Sequence, residues 1–175
     1  TGNRGGCHGE GLAYYLEEGM RIAGMGFPEH LDPHDSRGKG AVTADMQDLC
    51  AVYDGLGLCK FLMAGGVDID DLARFVLLAT GWDLSARDLL DAGARAYTLK
   101  RLYNQRLGVA RSDDLLPPRI VEERHEVGGA AHILPDLGLM LDDLYQRRGW
   151  GPDGRVTEET AARLGLLSYL HGDEE

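Results

Sequence analysis

The chain has 175 residues, 43% of them apolar and 27% charged, with 29 acidic against 18 basic side chains and a formal net charge of −11. That length suits one domain, or two small ones, with a real core, and the acidic balance argues against nucleic acid or an anionic membrane as partner, since both bind basic surfaces. No apolar run approaches the roughly 20 residues that span a bilayer, the polar, glycine-rich start is unlike a signal peptide, and cysteines at positions 7, 50 and 59 form no disulfide framework, which points to a reducing cytoplasm.

Thr1 to Gly11 holds five glycines and carries a Cys-His pair. Residues 24–40, rich in Gly, Pro, Asp and His, read as a long irregular loop, with Pro28 and Pro33 holding the residues before them extended. A loop of that length is usually functional or rests on a partner surface. Thr43 is predicted to cap a helix running to about Tyr53, with Met46, Leu49, Cys50 and Tyr53 on one face. Asp68 opens the next, with Ile69, Leu72, Ala73 and Val76 as its apolar stripe and Gly81 as its stop after Thr80. Ser85-x-x-Asp88 starts the longest helix, to about Arg106, burying Leu89, Leu90, Gly93, Ala96 and Tyr97. Gly93 has two readings there, a close helix crossing or a tolerated glycine. Residues 107–135, with Pro117-Pro118 and Gly128-Gly129, form a second irregular stretch. Asp136 leads a helix presenting Leu137, Met140, Leu141, Leu144 and Tyr145, ended by Gly149. Thr157 caps a short final helix to about Leu164. With no alternating strand pattern and no internal repeat, the fold class is all-α: an irregular helical array with long glycine-rich loops, divided into a segment 1–41 and a helical part 42–175.

Few residues offer chemistry. In Asp54-Gly-Leu-Gly-Leu-Cys59 an acid and a cysteine share a glycine-rich turn, where amide groups point outward and a close approach is possible. One reading is a helix C-terminus with a buried structural cysteine. The other is a thiolate for an iron–sulfur cluster, beside a carboxylate that accepts two parallel bonds from a planar heterocycle. Cys50 lies on an apolar face and reads as core. Cys7 beside His8 lacks the four-ligand spacing of zinc. The other histidines, His30, His34, His125, His132 and His171, are scattered over loops and read as solvated.

Asp-x-x-Gly-Leu-Cys-x-Phe (Asp54 to Phe61) resembles a motif in the C-terminal helical region of the tungsten-containing aldehyde ferredoxin oxidoreductases. Thr1-Gly-Asn-Arg-Gly-Gly-Cys-His8 is similar to that family's Asn-Arg-Gly-x-Cys-His segment. Leu99-Lys-Arg-Leu-Tyr-Asn-Gln-Arg-Leu-Gly-Val with Arg111-Ser-Asp-Asp-x-Leu-Pro also matches, as does Leu141-Asp-Asp-Leu-Tyr-Gln-Arg-Arg-Gly-Trp150 with Thr157-Glu-Glu-Thr-x-x-x-Leu-Gly-Leu166. Order and spacing agree over nearly the whole chain. Whole enzymes of this family are several times longer, so the chain looks like their C-terminal part.

The resemblance implies specific roles. Cys59 corresponds to the fourth ligand of a 4Fe-4S cluster whose other three cysteines lie in a more N-terminal segment. Asp54 by its side chain and Leu58 by its backbone correspond to contacts with a tungsten (or molybdenum) bis-pterin, and Arg4 matches an arginine on the same cofactor, making 1–41 a cofactor-facing segment. His8 matches the histidine beside the metal, suited to a hydrogen bond with a substrate carbonyl or to proton transfer. Glu10 stands where some members carry a basic cofactor contact, a departure from the pattern. The implied activity is oxidation of an aldehyde with water to a carboxylic acid, with electrons passing through the cluster to ferredoxin or a similar carrier. The implied partners are that carrier, the aldehyde, the N-terminal part of the enzyme and a second copy in a homodimer, with this portion inactive alone. The alternatives are a family member acting on another substrate, such as an aromatic thioester, and a non-catalytic helical interaction module.

Overall fold

The computed structural model of the chain describes residues 8–29 and 31–171, and side chains from Gly9 onward. A 3-10 turn at His8–Glu10 and α1 (Tyr14–Glu17) precede α2 (Lys39–Gly55); a second 3-10 turn at Lys60–Met63 leads to α3 (Ile69–Thr80) and α4 (Ala86–Arg106). A third such turn at Arg111–Asp113 and α5 (Pro118–Val121) lie in the next irregular stretch, followed by α6 (Leu137–Arg148), α7 (Glu158–Arg163) and α8 (Leu167–His171). The one β pairing among the described residues is an isolated bridge between Trp150 and Val156. The all-α expectation holds.

Local chemistry places most of these helices. Asp68 and Ser85 each close a capping box, with Asp71 and Asp88 respectively, and left-handed Gly81 and Gly149 end α3 and α6. The Asp136 carboxylate accepts from the Leu139 N–H and the Thr157 hydroxyl from the Thr160 N–H, capping α6 and α7.

Helix α2 is the axis of the fold, packed between α4 and α6. Its Met46, Leu49, Cys50 and Tyr53 are fully buried against Ile69, Leu72 and Val76 of α3, Leu89 of α4, and Leu12 and Leu16. Ala44 of α2 joins a second cluster with Leu102, Leu144, Tyr145, Trp150 and Ala161. Both crossings need glycine. A Cβ on Gly93 of α4 would lie 2.2 Å from the Asp48 carbonyl oxygen, and one on Gly40 of α2 would lie 2.1 Å from that of Met140. Gly93 is thus a close crossing, the first of its two readings. Arg148 is buried across the α2–α6 contact, donating to Asp48 at 2.7 Å and to Gln47 at 2.9 Å.

Five expectations are corrected. Helix α2 starts at Lys39, one turn before Thr43, because its N-terminus is satisfied from elsewhere: Asp143 of α6 accepts the Ala41 N–H at 2.9 Å. It also runs on to Gly55 rather than about Tyr53. Ala96 is exposed, because the buried stripe of α4 follows the four-residue ridge Leu89, Gly93, Tyr97, Arg101. Helix α7 is not the last, since the five-residue α8 follows it, too short for a periodic signal. His171 sits on that helix rather than a loop; like His34, His125 and His132 it is exposed, as expected, while His30 lies outside the described residues.

Candidate functional site

The last turn of α2 builds the site. Its apolar face is buried to Tyr53, and the chain reverses at Gly57, whose φ of +69° is left-handed. The Gly57 N–H reaches the Asp54 carbonyl at 3.1 Å and the Leu58 N–H reaches the Tyr53 carbonyl at 2.9 Å. This pair of bonds is a Schellman closure, which satisfies carbonyls that a helix end leaves open. Leu58 packs against the main core and anchors the reversal. The Tyr53 hydroxyl, bonded to the Val67 carbonyl at 2.8 Å, ties the helix to the segment entering α3.

Two reactive side chains stand on this rigid turn. The Asp54 side chain is half exposed. Cys59 is an exposed free thiol in extended backbone at the start of the Lys60–Met63 turn, with Leu56, Phe61 and Leu62 as exposed apolar neighbours. The buried reading of this cysteine therefore fails. Cys50, nine residues earlier, is the inert one: burial pushes its thiol up to about 12.

Lys60 joins this turn to the start of the chain. Its ammonium lies 2.8 Å from Asp54 Oδ2 and 2.8 Å from the Gly9 carbonyl oxygen. Burial pulls its pKa down, but the hydrogen bond to Asp54 and the negative charges of Asp54 and Glu10 outweigh that and raise it. An acid at a helix C-terminus opposes the macrodipole, and Lys60 answers that charge. Glu10, on the same 3-10 turn, lies 3.0 Å from the Lys100 ammonium and is largely buried. Burial pushes the Tyr97 phenol up, and the Glu10 charge adds to that.

Of the residues singled out by sequence, Asp54, Leu58 and Cys59 share one turn, and the backbone of His8–Glu10 is fastened to that turn through Gly9. The Leu58 N–H is engaged in the reversal, so its carbonyl is the backbone atom left for a ligand. Arg4 and Cys7 lie outside the described residues, as does the His8 side chain. Sequence reasoning missed Lys60 and Lys100. The signal for Lys60 was available, since an acid on the last turn of a helix calls for a nearby cation.

The donor set fits the cofactors that the motif implies. A carboxylate complements the N–H edge of a pterin, and an accessible thiol is the ligand type of an iron–sulfur cluster. No group of three or more His, Cys, Asp or Glu among the described residues could hold a metal ion, so Cys59 has no co-ligand set there.

Comparison with known proteins bears on the whole chain. A family model described as aldehyde ferredoxin oxidoreductase, domains 2 and 3, matches residues 1–166. The tungsten-containing aldehyde ferredoxin oxidoreductases of Pyrococcus abyssi and Thermococcus kodakarensis are each 37% identical over 172 residues, 97% of this chain. That of Pyrococcus furiosus is 35% identical over 171 residues. The chain spans 27% of the length of these relatives. Among solved structures, the active-site complex BamBC of benzoyl coenzyme A reductase, bound to 1,5-dienoyl-CoA, superposes with a TM-score of 0.63 at 25% identity, over 76% of this chain and 20% of that one. This chain belongs to the aldehyde ferredoxin oxidoreductase family.

Proposed function

We propose that this chain is the cofactor-gripping C-terminal portion of a tungsten-dependent enzyme that oxidises aldehydes with water to carboxylic acids and passes the electrons to ferredoxin or a similar carrier. The observation that carries this reading is the Asp54–Cys59 turn, where a half-exposed carboxylate and an exposed thiol stand five residues apart on a rigid reversal. When bound, a tungsten (or molybdenum) bis-pterin supplies the two-electron chemistry and a 4Fe-4S cluster relays the electrons one at a time.

The chain's own residues hold and orient. Asp54 accepts from the pterin's N–H edge and the Leu58 carbonyl adds a backbone contact. Arg4, followed by Gly5 and Gly6, donates a planar guanidinium to the same cofactor. Cys59 supplies one cluster thiolate, and the other three come from outside the described residues, among which Cys59 is joined by just one further cysteine, the buried Cys50. His8 donates a hydrogen bond to the substrate carbonyl and accepts a proton as water adds. Residues 1–41 form the cofactor-facing segment, and the rest of the enzyme covers the apolar rim of Leu56, Phe61 and Leu62, which keeps water from the cluster. The cytoplasm is the setting that suits such a cluster.

Full-length enzyme purified anaerobically tests this reading. Wild type is expected to contain tungsten and iron, and Cys59→Ser to lose or alter the cluster's paramagnetic resonance signal while Cys50→Ser keeps it. An unaltered signal in Cys59→Ser overturns the assignment. The likeness to the benzoyl coenzyme A reductase complex favours one second reading, in which the same site serves an aromatic thioester. Rates of aldehyde oxidation and thioester reduction by one preparation decide between them, and the higher identity to the aldehyde enzymes favours the first.

A further inference from the structure

We propose that Lys60 is a positioning residue, a latch that sets the spacing between the His8 turn and the Asp54–Cys59 turn. Its placement makes the case. Gly9, whose carbonyl oxygen Lys60 holds, directly follows His8, and Lys60 itself directly follows Cys59. The same ammonium holds Asp54. One charge, with three donors and two of them spent at 2.8 Å, therefore joins the backbone beside His8, the Asp54 carboxylate and the residue next to Cys59.

Three further observations separate a latch from an incidental surface pair. The Lys60 side chain is only 19% exposed, so its charge depends on these partners rather than on water. Residues 9 and 60 are 51 apart in the chain, and no backbone hydrogen bond among the described residues joins the His8–Glu10 turn to the Asp54–Cys59 turn. The ion pair between Glu10 and Lys100 ties the His8–Glu10 turn to α4. Lys60 is thus a polar link that orients the one turn relative to the other. It occupies Asp54 Oδ2 and so also fixes which way the carboxylate presents its remaining lone pairs.

The consequence for catalysis rests on the cofactor reading above, but the latch itself does not. Full-length Lys60→Met is expected to show amide exchange at residues 9–12 about tenfold or more faster than wild type, with amides of α6 unchanged, because a charge-assisted bond to a turn is lost locally. Turnover should fall by more than KM rises, and Lys60→Arg, which can donate to both partners, should restore slow exchange and most of the turnover. Unchanged exchange at 9–12 in Lys60→Met overturns the latch, as does acceleration spread equally to α6. Accelerated exchange confined to 9–12 in a protein whose wild type carries no tungsten supports the latch and overturns the cofactor reading, so the two failures are told apart.

Discussion

Gly93 of α4 and Asp48 of α2 meet so closely that a single added carbon would lie 2.2 Å from the Asp48 carbonyl oxygen. This crossing brings α2, and with it the Asp54–Cys59 turn, to its place against α4. The obstacle is backbone, which cannot step aside as a flexible side chain can.

Gly93→Ala should therefore destabilise the protein by about 1–3 kcal/mol, although alanine is the better helix former by about 1 kcal/mol. Gly138, in the first turn of α6, meets only ordinary contact at 3.5 Å. There alanine should be neutral or stabilise by about 0.5 kcal/mol. Urea unfolding of the two variants checks both signs.

Cys50 and Cys59 should differ sharply toward a thiol reagent. With its thiol pushed up to about 12 by burial, Cys50 is ionised in roughly one molecule in ten thousand at pH 8, and the thiolate is the nucleophile. Exposed Cys59 should be alkylated at least about a hundredfold faster in protein stripped of iron, and protected when the proposed cluster is present. Peptide mapping by mass spectrometry after timed labelling reads both rates.

Two aspartates should titrate in opposite directions. The hydrogen bond from Arg37 lowers the Asp35 carboxyl from 3.8 to about 2, so its stabilising effect is complete above the usual carboxylate value and lost as pH falls from about 4 to 2. Burial raises Asp48 above 3.8 against the pull of Arg148. Its effect is present at lower pH and lost as pH rises past its ordinary value. Carbon-detected resonance of the two carboxyls gives both directions, and Asp48→Asn should flatten the stability slope just above pH 4.

On the role proposed for His8, His8→Ala in the full-length enzyme should lower turnover by roughly 10²–10⁴, the range for a positioned acid–base group, with tungsten and iron content unchanged. His8→Asn should recover part of the loss if hydrogen bonding dominates. Turnover normalised to bound tungsten is the measurement, and near-wild-type values in His8→Ala remove this residue from the mechanism.

The sequence by itself determined those parts of the protein whose causes are local. Asp68, Ser85, Asp136 and Thr157 each cap a helix within three residues of themselves, and Gly81 and Gly149 stop α3 and α6 in place. The face of Met46, Leu49, Cys50 and Tyr53 was legible because helical periodicity is also local, and the Asp54–Cys59 motif was legible as a short contiguous run. The tertiary structure decided what depends on residues far apart in the chain. The start of α2 at Lys39 needed a carboxylate from Asp143, about a hundred residues on, to satisfy an amide that no neighbouring side chain serves. Gly93 became a crossing rather than a tolerated glycine only when α2 lay against it, and Ala96 turned outward because the ridge of α4 runs in steps of four. The Lys60 bridge between Gly9 and Asp54 exists because the reversal at Gly57 folds residue 60 back over the helix end. Capping and periodicity act over a few residues and can be read in one dimension, whereas the partner of a buried charge is chosen by the packing of distant helices.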